Sequence, residues 1–158
     1  MSLQRPLKYD PTTGEIARFA ADDFINEVDF LTVNNETGAP LIKCTPVYQT
    51  ATANEVAKAQ ADAIATARVI ALLVDAIADG TSGSALSDGR MSASTAEWDA
   101  VTGQTGGLTP GSKYYVSPTT AGMLTTTAPT ADGHVVAPVG TAKSTVEFEV
   151  SIGTRVVL

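Results

Sequence analysis

Cysteine and histidine each occur once, as Cys44 and His134. A lone cysteine makes no intrachain disulfide, so oxidation does not hold the fold, and Cys44 reads as a buried apolar thiol rather than a reactive one. One histidine excludes both a catalytic triad and a His-rich zinc site, and a Cys-His pair would rest on two singletons far apart in the sequence. Basic residues are also scarce: ten Lys and Arg, scattered singly, against 17 Asp and Glu give a net charge of -7 and a pI near 4.5. Tracking phosphates requires clustered cations, so nucleic acid is not an expected partner. The most apolar run, Val69 to Val74, is far too short to cross a bilayer, and no membrane is expected. The opening MSLQRPLKYD lacks the apolar core of a signal peptide, which speaks against export by that route.

What the protein has in quantity is turn residues between short apolar runs. From Gln104 to Ile152 they recur, as Pro-Gly, Ala-Gly, Asp-Gly and Val-Gly, at intervals of about ten positions, a pattern that folds a polypeptide back on itself as antiparallel strands. Strands are expected at Lys113–Ser117, Gly122–Thr125, His134–Ala137 and Thr145–Ile152. The last alternates cleanly: Val146, Phe148, Val150 and Ile152 point to a core, and Thr145, Glu147, Glu149 and Ser151 to water. Regular short strands predict an all-β fold, an antiparallel barrel or sandwich-like module with one or two short helices and an extended N-terminal arm. A length of 158 residues suffices for one such module, residues 33–158, plus an arm, residues 1–32.

The arm carries a turn at Asp10-Pro11-Thr12-Thr13-Gly14 and more apolar residues than a solvated tail needs. Ile16, Phe19, Phe24, Ile25, Phe30 and Leu31 predict that it docks, on its own module or on a partner. Val28–Val33 reads as a first strand, followed by a turn over Asn34–Gly38, and Pro46–Thr50 as another strand. Asn35-Glu36-Thr37 fits a glycosylation acceptor, a triplet common by chance. Asn54 to Gly80 is ambiguous. Val56, Ala59, Ala63, Ala67, Ile70, Val74 and Ile77 recur at helical spacing, yet Val69–Val74 is apolar all round, which suits a buried strand as well as a helix. The turn-rich flanks, Thr81–Ser84 and Asp88-Gly89 around Ala85–Ser87, read as hairpins and favour strands at Glu55–Ala59 and Arg68–Ala76 with a helical turn at Ala61–Ala67. Ser94 with Glu97 three positions on is a capping box, predicting a short helix through Val101 that plugs Trp98 into one end of the core.

No constellation supports a reaction, and no enzyme, cofactor or metal site is expected. Gly106 and Gly111 have the spacing of a phosphate-binding loop, but Ser112-Lys113 reverses the Lys-Ser order that it requires. Asp22-Asp23, Asp75 and Asp79 lack the pattern of a calcium loop. Glu147 and Glu149 share one outward face with no opposing pair.

The run Trp98-Asp99-Ala100-Val101-Thr102-Gly103-Gln104-Thr105-Gly106-Gly107-Leu108-Thr109-Pro110-Gly111, with Tyr114-Tyr115-Val116-Ser117-Pro118 and Gly122-Met123-Leu124-Thr125, resembles a small β module of tailed-bacteriophage virion proteins: capsid decoration proteins, head fibres and tail-fibre segments. The resemblance extends over Gly38–Asp62, where such modules often have Gly at the position of Cys44. It implies an all-β fold with strands through Glu55–Ala76, homotrimeric assembly and a structural role on the virion exterior after synthesis in the bacterial cytoplasm. The major capsid protein or another virion component would be the partner, and Ile16, Phe19, Phe24, Ile25 and Phe30 the attachment residues. A tail-fibre or receptor-binding module is the alternative, with Tyr114, Tyr115 or Trp98 facing sugar.

Overall fold

The computed structural model describes residues 29–158 throughout and, before them, the backbone of two strands, β1 (Leu7–Tyr9) and β2 (Ile16–Arg18), which pair antiparallel with Tyr9 opposite Ile16. The expected turn at Asp10–Gly14 lies between them, outside the described residues.

Among the described residues the fold is all-β with one short helix. Strands β3 (Asp29–Asn35), β4 (Pro46–Gln49), β5 (Glu55–Lys58), β6 (Val69–Leu73) and β7 (Thr81–Ser92) pair in the order β3-β5-β4-β6-β7, and β7 pairs back onto β3, closing a small barrel. All contacts are antiparallel except β3 with β5, which run parallel through Asn34 opposite Glu55 and Asn35 opposite Val56. The far half of β7, from Asp88 to Ser92, pairs with β12 (Glu147–Ser151). The sheet then runs on through β11 (Pro138–Ala142), β8 (Lys113–Val116) and β9 (Leu124–Thr125). β10 (Val135–Val136) and β13 (Val156–Val157) form a separate two-stranded ribbon.

Two cores result, one on each side of the β4, β6 and β7 wall. Val33, Leu41, Val47, Val56, Ala71, Leu73, Ile77 and Ala85 fill the bore of the barrel. A larger core, built on Trp98, Tyr114, Phe148, Leu72, Leu86, Leu108 and Leu124, lies between the barrel wall, the second sheet and the helix. Leu72 and Leu86 sit opposite each other on one side of the wall, and Leu73 and Ala85 opposite each other on the other. β6 is therefore buried on both faces, which is why Val69–Val74 has no polar alternation. An irregularity where Val47 faces Ala71 but Tyr48 faces Val69 shifts the parity of β6 at Ile70. The helical spacing of Asn54–Gly80 does not produce a helix: Glu55–Lys58 and Val69–Leu73 are strands, and residues 61–67 are turns with one Ala67 N–H to Ala63 carbonyl bond of 3.0 Å. Burying two faces outweighs the single stripe that a helix would bury.

Two turn expectations are corrected. Thr81–Ser84 and Asp88-Gly89 are no hairpins but parts of the 12-residue β7, which stays extended because it forms the seam between barrel and second sheet. Val139-Gly140 is no turn either; it lies within β11, where a Cβ on Gly140 would run into the Glu149 carbonyl and the Phe148 ring, so glycine lets two strands approach over a bulky side chain. In β12, Phe148 and Val150 are buried, Ile152 packs on the core edge, and Val146 remains 37% exposed ahead of the strand. The carbonyl of Val146 is what matters there, accepting from Trp98 Nε1 at 3.1 Å and from Ala93 N at 3.0 Å.

The helix α1 (Thr95–Thr102) follows its sequence signals. Ser94 caps it, with Glu97 N–H donating to Ser94 Oγ at 3.3 Å and Ser94 N–H to Glu97 Oε2 at 2.7 Å. Gly103 ends it in the left-handed conformation. Trp98 is fully buried, tilted against Phe148 with ring centroids 5.4 Å apart, and Tyr114 meets the same ring edge-on at 5.7 Å.

Candidate attachment surface

β3 begins with its apolar residues outside. Phe30 is opposite Leu86, so it shares that residue's side of the wall, yet it is 58% exposed; Leu31, opposite Ala85, lies at the rim of the bore and is 37% exposed. Phe30 stands between two shallow grooves. One of about 290 Å³ is lined by Leu31, Val33, Gln49, Asn54, Val56 and Ile70. The other, of about 170 Å³, is lined by Val74, Asp75, Leu86, Arg90, Met91 and Lys43. An exposed phenylalanine between two grooves of mixed polar and apolar lining is a feature suited to taking a partner's side chains.

Of the other expected attachment residues, Ile16 lies in β2 opposite Tyr9, and Phe19, Phe24 and Ile25 fall outside the described residues. Trp98 and Tyr114 are both fully buried, so neither can face a sugar; Tyr115 is partly buried.

The residues weighed for chemistry are apart or occupied. Cys44 is fully buried, and desolvation pushes its thiol up to about 12 from 9.0, with Lys43 beside it lowering it and Glu97 raising it. A thiol so protonated is no nucleophile. His134 lines a different depression, of about 340 Å³, among Ser117, Pro118, Thr125 and Pro129. Among the described residues no three His, Cys, Asp or Glu side chains converge as metal ligands, and no helix is long and apolar enough to cross a membrane. Glu149 is paired with Arg90 at 3.7 Å on an exposed face. Asp22-Asp23 lies outside the described residues. Asp79 accepts from Gly38 N at 2.7 Å. Asn35 is buried, its Nδ2 donating to the Ala39 and Ile77 carbonyls at 2.9 Å each, so the acceptor triplet around it is occluded.

Asp99 is the organising residue that no motif marks. Its two carboxylate oxygens accept from Gly106 N at 3.0 Å and Gly107 N at 2.7 Å. Gly107 has φ +88, and a Cβ there would collide with the Thr145 carbonyl. Tyr114 Oη donates to Gln104 Oε1 at 2.7 Å and accepts from Thr109 N at 2.9 Å. Gly106 and Gly111 thus belong to a loop that binds its own helix and strand, with an aspartate where a phosphate loop would need a cation. The signal was an Asp seven and eight positions ahead of a Gly-Gly pair. No family model matches the protein, no curated protein matches it, and no solved structure matches its fold.

Proposed function

We propose that this is a structural protein of a tailed-bacteriophage virion, a capsid decoration or cement protein or a short head fibre, assembled as a homotrimer on the particle exterior. In this reading the N-terminal residues, with Phe30 at the root of the arm, attach it to the major capsid protein or another virion component, and the β module faces outward. The observation that carries the reading is Phe30, 58% exposed at the first strand of a module whose Trp98, Tyr114 and Phe148 are all spent on internal packing. Such a module offers stability and a surface rather than a reacting group. The resemblance of Trp98–Thr125 to virion modules supplies the particle.

Two measurements test it. Protein lacking residues 1–28 keeps β3 and should leave phage particles undecorated in co-sedimentation, as should Phe30→Ser to a lesser degree; full occupancy by both variants overturns the attachment reading. The mass in solution should be that of a trimer at micromolar concentration, and a monomer that persists in the presence of particles counts against assembly.

A further inference from the structure

The sequence holds three Asp-Gly pairs, Asp79-Gly80, Asp88-Gly89 and Asp132-Gly133, and their surroundings differ. Because glycine has no side chain, its backbone nitrogen reaches the preceding carboxyl more easily than that of any other residue. At Asp79 both reactants are held: the carboxylate accepts from Gly38 N at 2.7 Å, and Gly80 N donates to the Asn35 carbonyl at 2.7 Å. At Asp88 the pair lies inside β7, between Asp29 on one side and Ser151 on the other. Asp132 is exposed in a turn closed by His134 N–H donating to the Ala131 carbonyl at 3.1 Å. There the nitrogen of Gly133 is held by one bond, to the Leu158 carbonyl at 3.1 Å. Leu158 directly follows β13, which pairs with β10 through Val135–Val157 and Val136–Val156, with one further bond from Leu158 N to the His134 carbonyl at 3.0 Å, and leaves Val156 53% and Val157 54% exposed.

We propose that Asp132-Gly133 is a site of spontaneous aspartate isomerisation whose rate is set by the C-terminal strand, because that strand positions the carbonyl that holds the attacking nitrogen. In the reaction the Gly133 nitrogen attacks Asp132 Cγ. An N–Cγ bond forms, a C–O bond of the carboxyl breaks, and its hydroxyl leaves with the amide proton as water. Water then adds to the resulting cyclic imide; breaking the bond between nitrogen and the original backbone carbonyl leaves the backbone running through Cγ. The net composition is unchanged, and no oxidant or other reactant is required. The product carries one more backbone atom between residues 132 and 133, which displaces Gly133 from Leu158 and loosens β13 from β10. Local opening of a two-residue strand with both residues exposed has a far smaller free energy than opening of β7 or of the Asn35–Gly80 contact, so the three sites should age at different rates.

The full-length protein, incubated at neutral pH and physiological temperature in water enriched in oxygen-18, reads out each site by peptide mass and by isoaspartate methylation. Asp132 should acquire label about tenfold faster than Asp79 or Asp88, and all three should converge in denaturant. Equal rates in the folded protein, or a lead by Asp79 or Asp88, overturn the site. Leu158→Pro removes the Leu158 N–H that donates to the His134 carbonyl at 3.0 Å and should raise both Gly133 amide exchange and the Asp132 rate by about threefold or more. Faster exchange with an unchanged isomerisation rate overturns the role of the strand. The comparison of the three sites in the unaltered protein stands whether or not the variant folds.

Discussion

Cys44 combines full burial with φ +67, a left-handed conformation that costs a non-glycine residue about 1–2 kcal/mol. The turn is glycine-shaped, and this protein puts a thiol in it. Cys44→Gly trades the lost sulfur against relieved strain and should change urea-unfolding stability by less than about 1 kcal/mol, whereas β-branched Cys44→Val should cost about 2 kcal/mol or more. The thiol also carries a pH signature. Its folded value is raised to about 12 above 9.0, so its contribution is complete below 9.0 and is lost as pH rises toward 12, where the unfolded thiolate is favoured. A thiol reagent at mildly alkaline pH should therefore label the protein only after denaturant is added; prompt labelling of the folded protein refutes the buried site. Asp99 is the other residue whose role is local and large. Asp99→Ala leaves Gly106 N and Gly107 N without their acceptor and should cost about 1.5–3 kcal/mol in the same assay.

Among the elements, β6 separates the two readings of Asn54–Gly80. A strand between two cores makes Leu72→Ala and Leu73→Ala each cost about 2–5 kcal/mol, though adjacent residues on an amphipathic helix would differ sharply. Near-neutral behaviour of either one refutes the double burial. α1 is the element most legible in the sequence, since Ser94, Glu97 and Gly103 act through bonds only a few residues long. Strands whose partners are sequence neighbours or clean alternators, such as β8 and β12, were readable for the same reason. β7 and β11 were not, because Gly83, Asp88-Gly89 and Gly140 look like turns until a distant partner supplies the reason for a small residue. Of the candidate surface, the apolar excess at Phe30 and Leu31 was legible, but the grooves beside Phe30 depend on β4–β7 and had no local signal. Glu97 is held below its usual 4.5 by the Ser94 backbone N–H first and the Ser94 hydroxyl second. A lowered carboxylate stabilises above 4.5 and loses that contribution as pH falls through its folded value. Thermal stability of Glu97→Gln should accordingly fall less steeply with acid than that of the parent protein, and identical slopes refute the cap.

For the molecule as a whole, the two cores share a wall and cannot separate without opening β7. Val33→Ala in the barrel bore and Phe148→Ala in the larger core should shift one and the same unfolding transition, seen alike by Trp98 fluorescence and far-ultraviolet circular dichroism. Two resolved transitions would show that barrel and second sheet are separate units. The closure of β3 onto β7 has a further consequence, for the order of assembly during synthesis. Every strand of the barrel precedes Ala93, so the ring can shut while the second sheet is still being made. Leu86 and Met91, on the far side of that ring, then wait for the rest of the larger core, and the Asp88–Ser92 half of β7 lacks its partner strand until β12 arrives. The nascent polypeptide passes through a stage with a finished bore and an uncovered outer wall, and at that stage it is most exposed to pairing with a neighbour's β12 instead of its own.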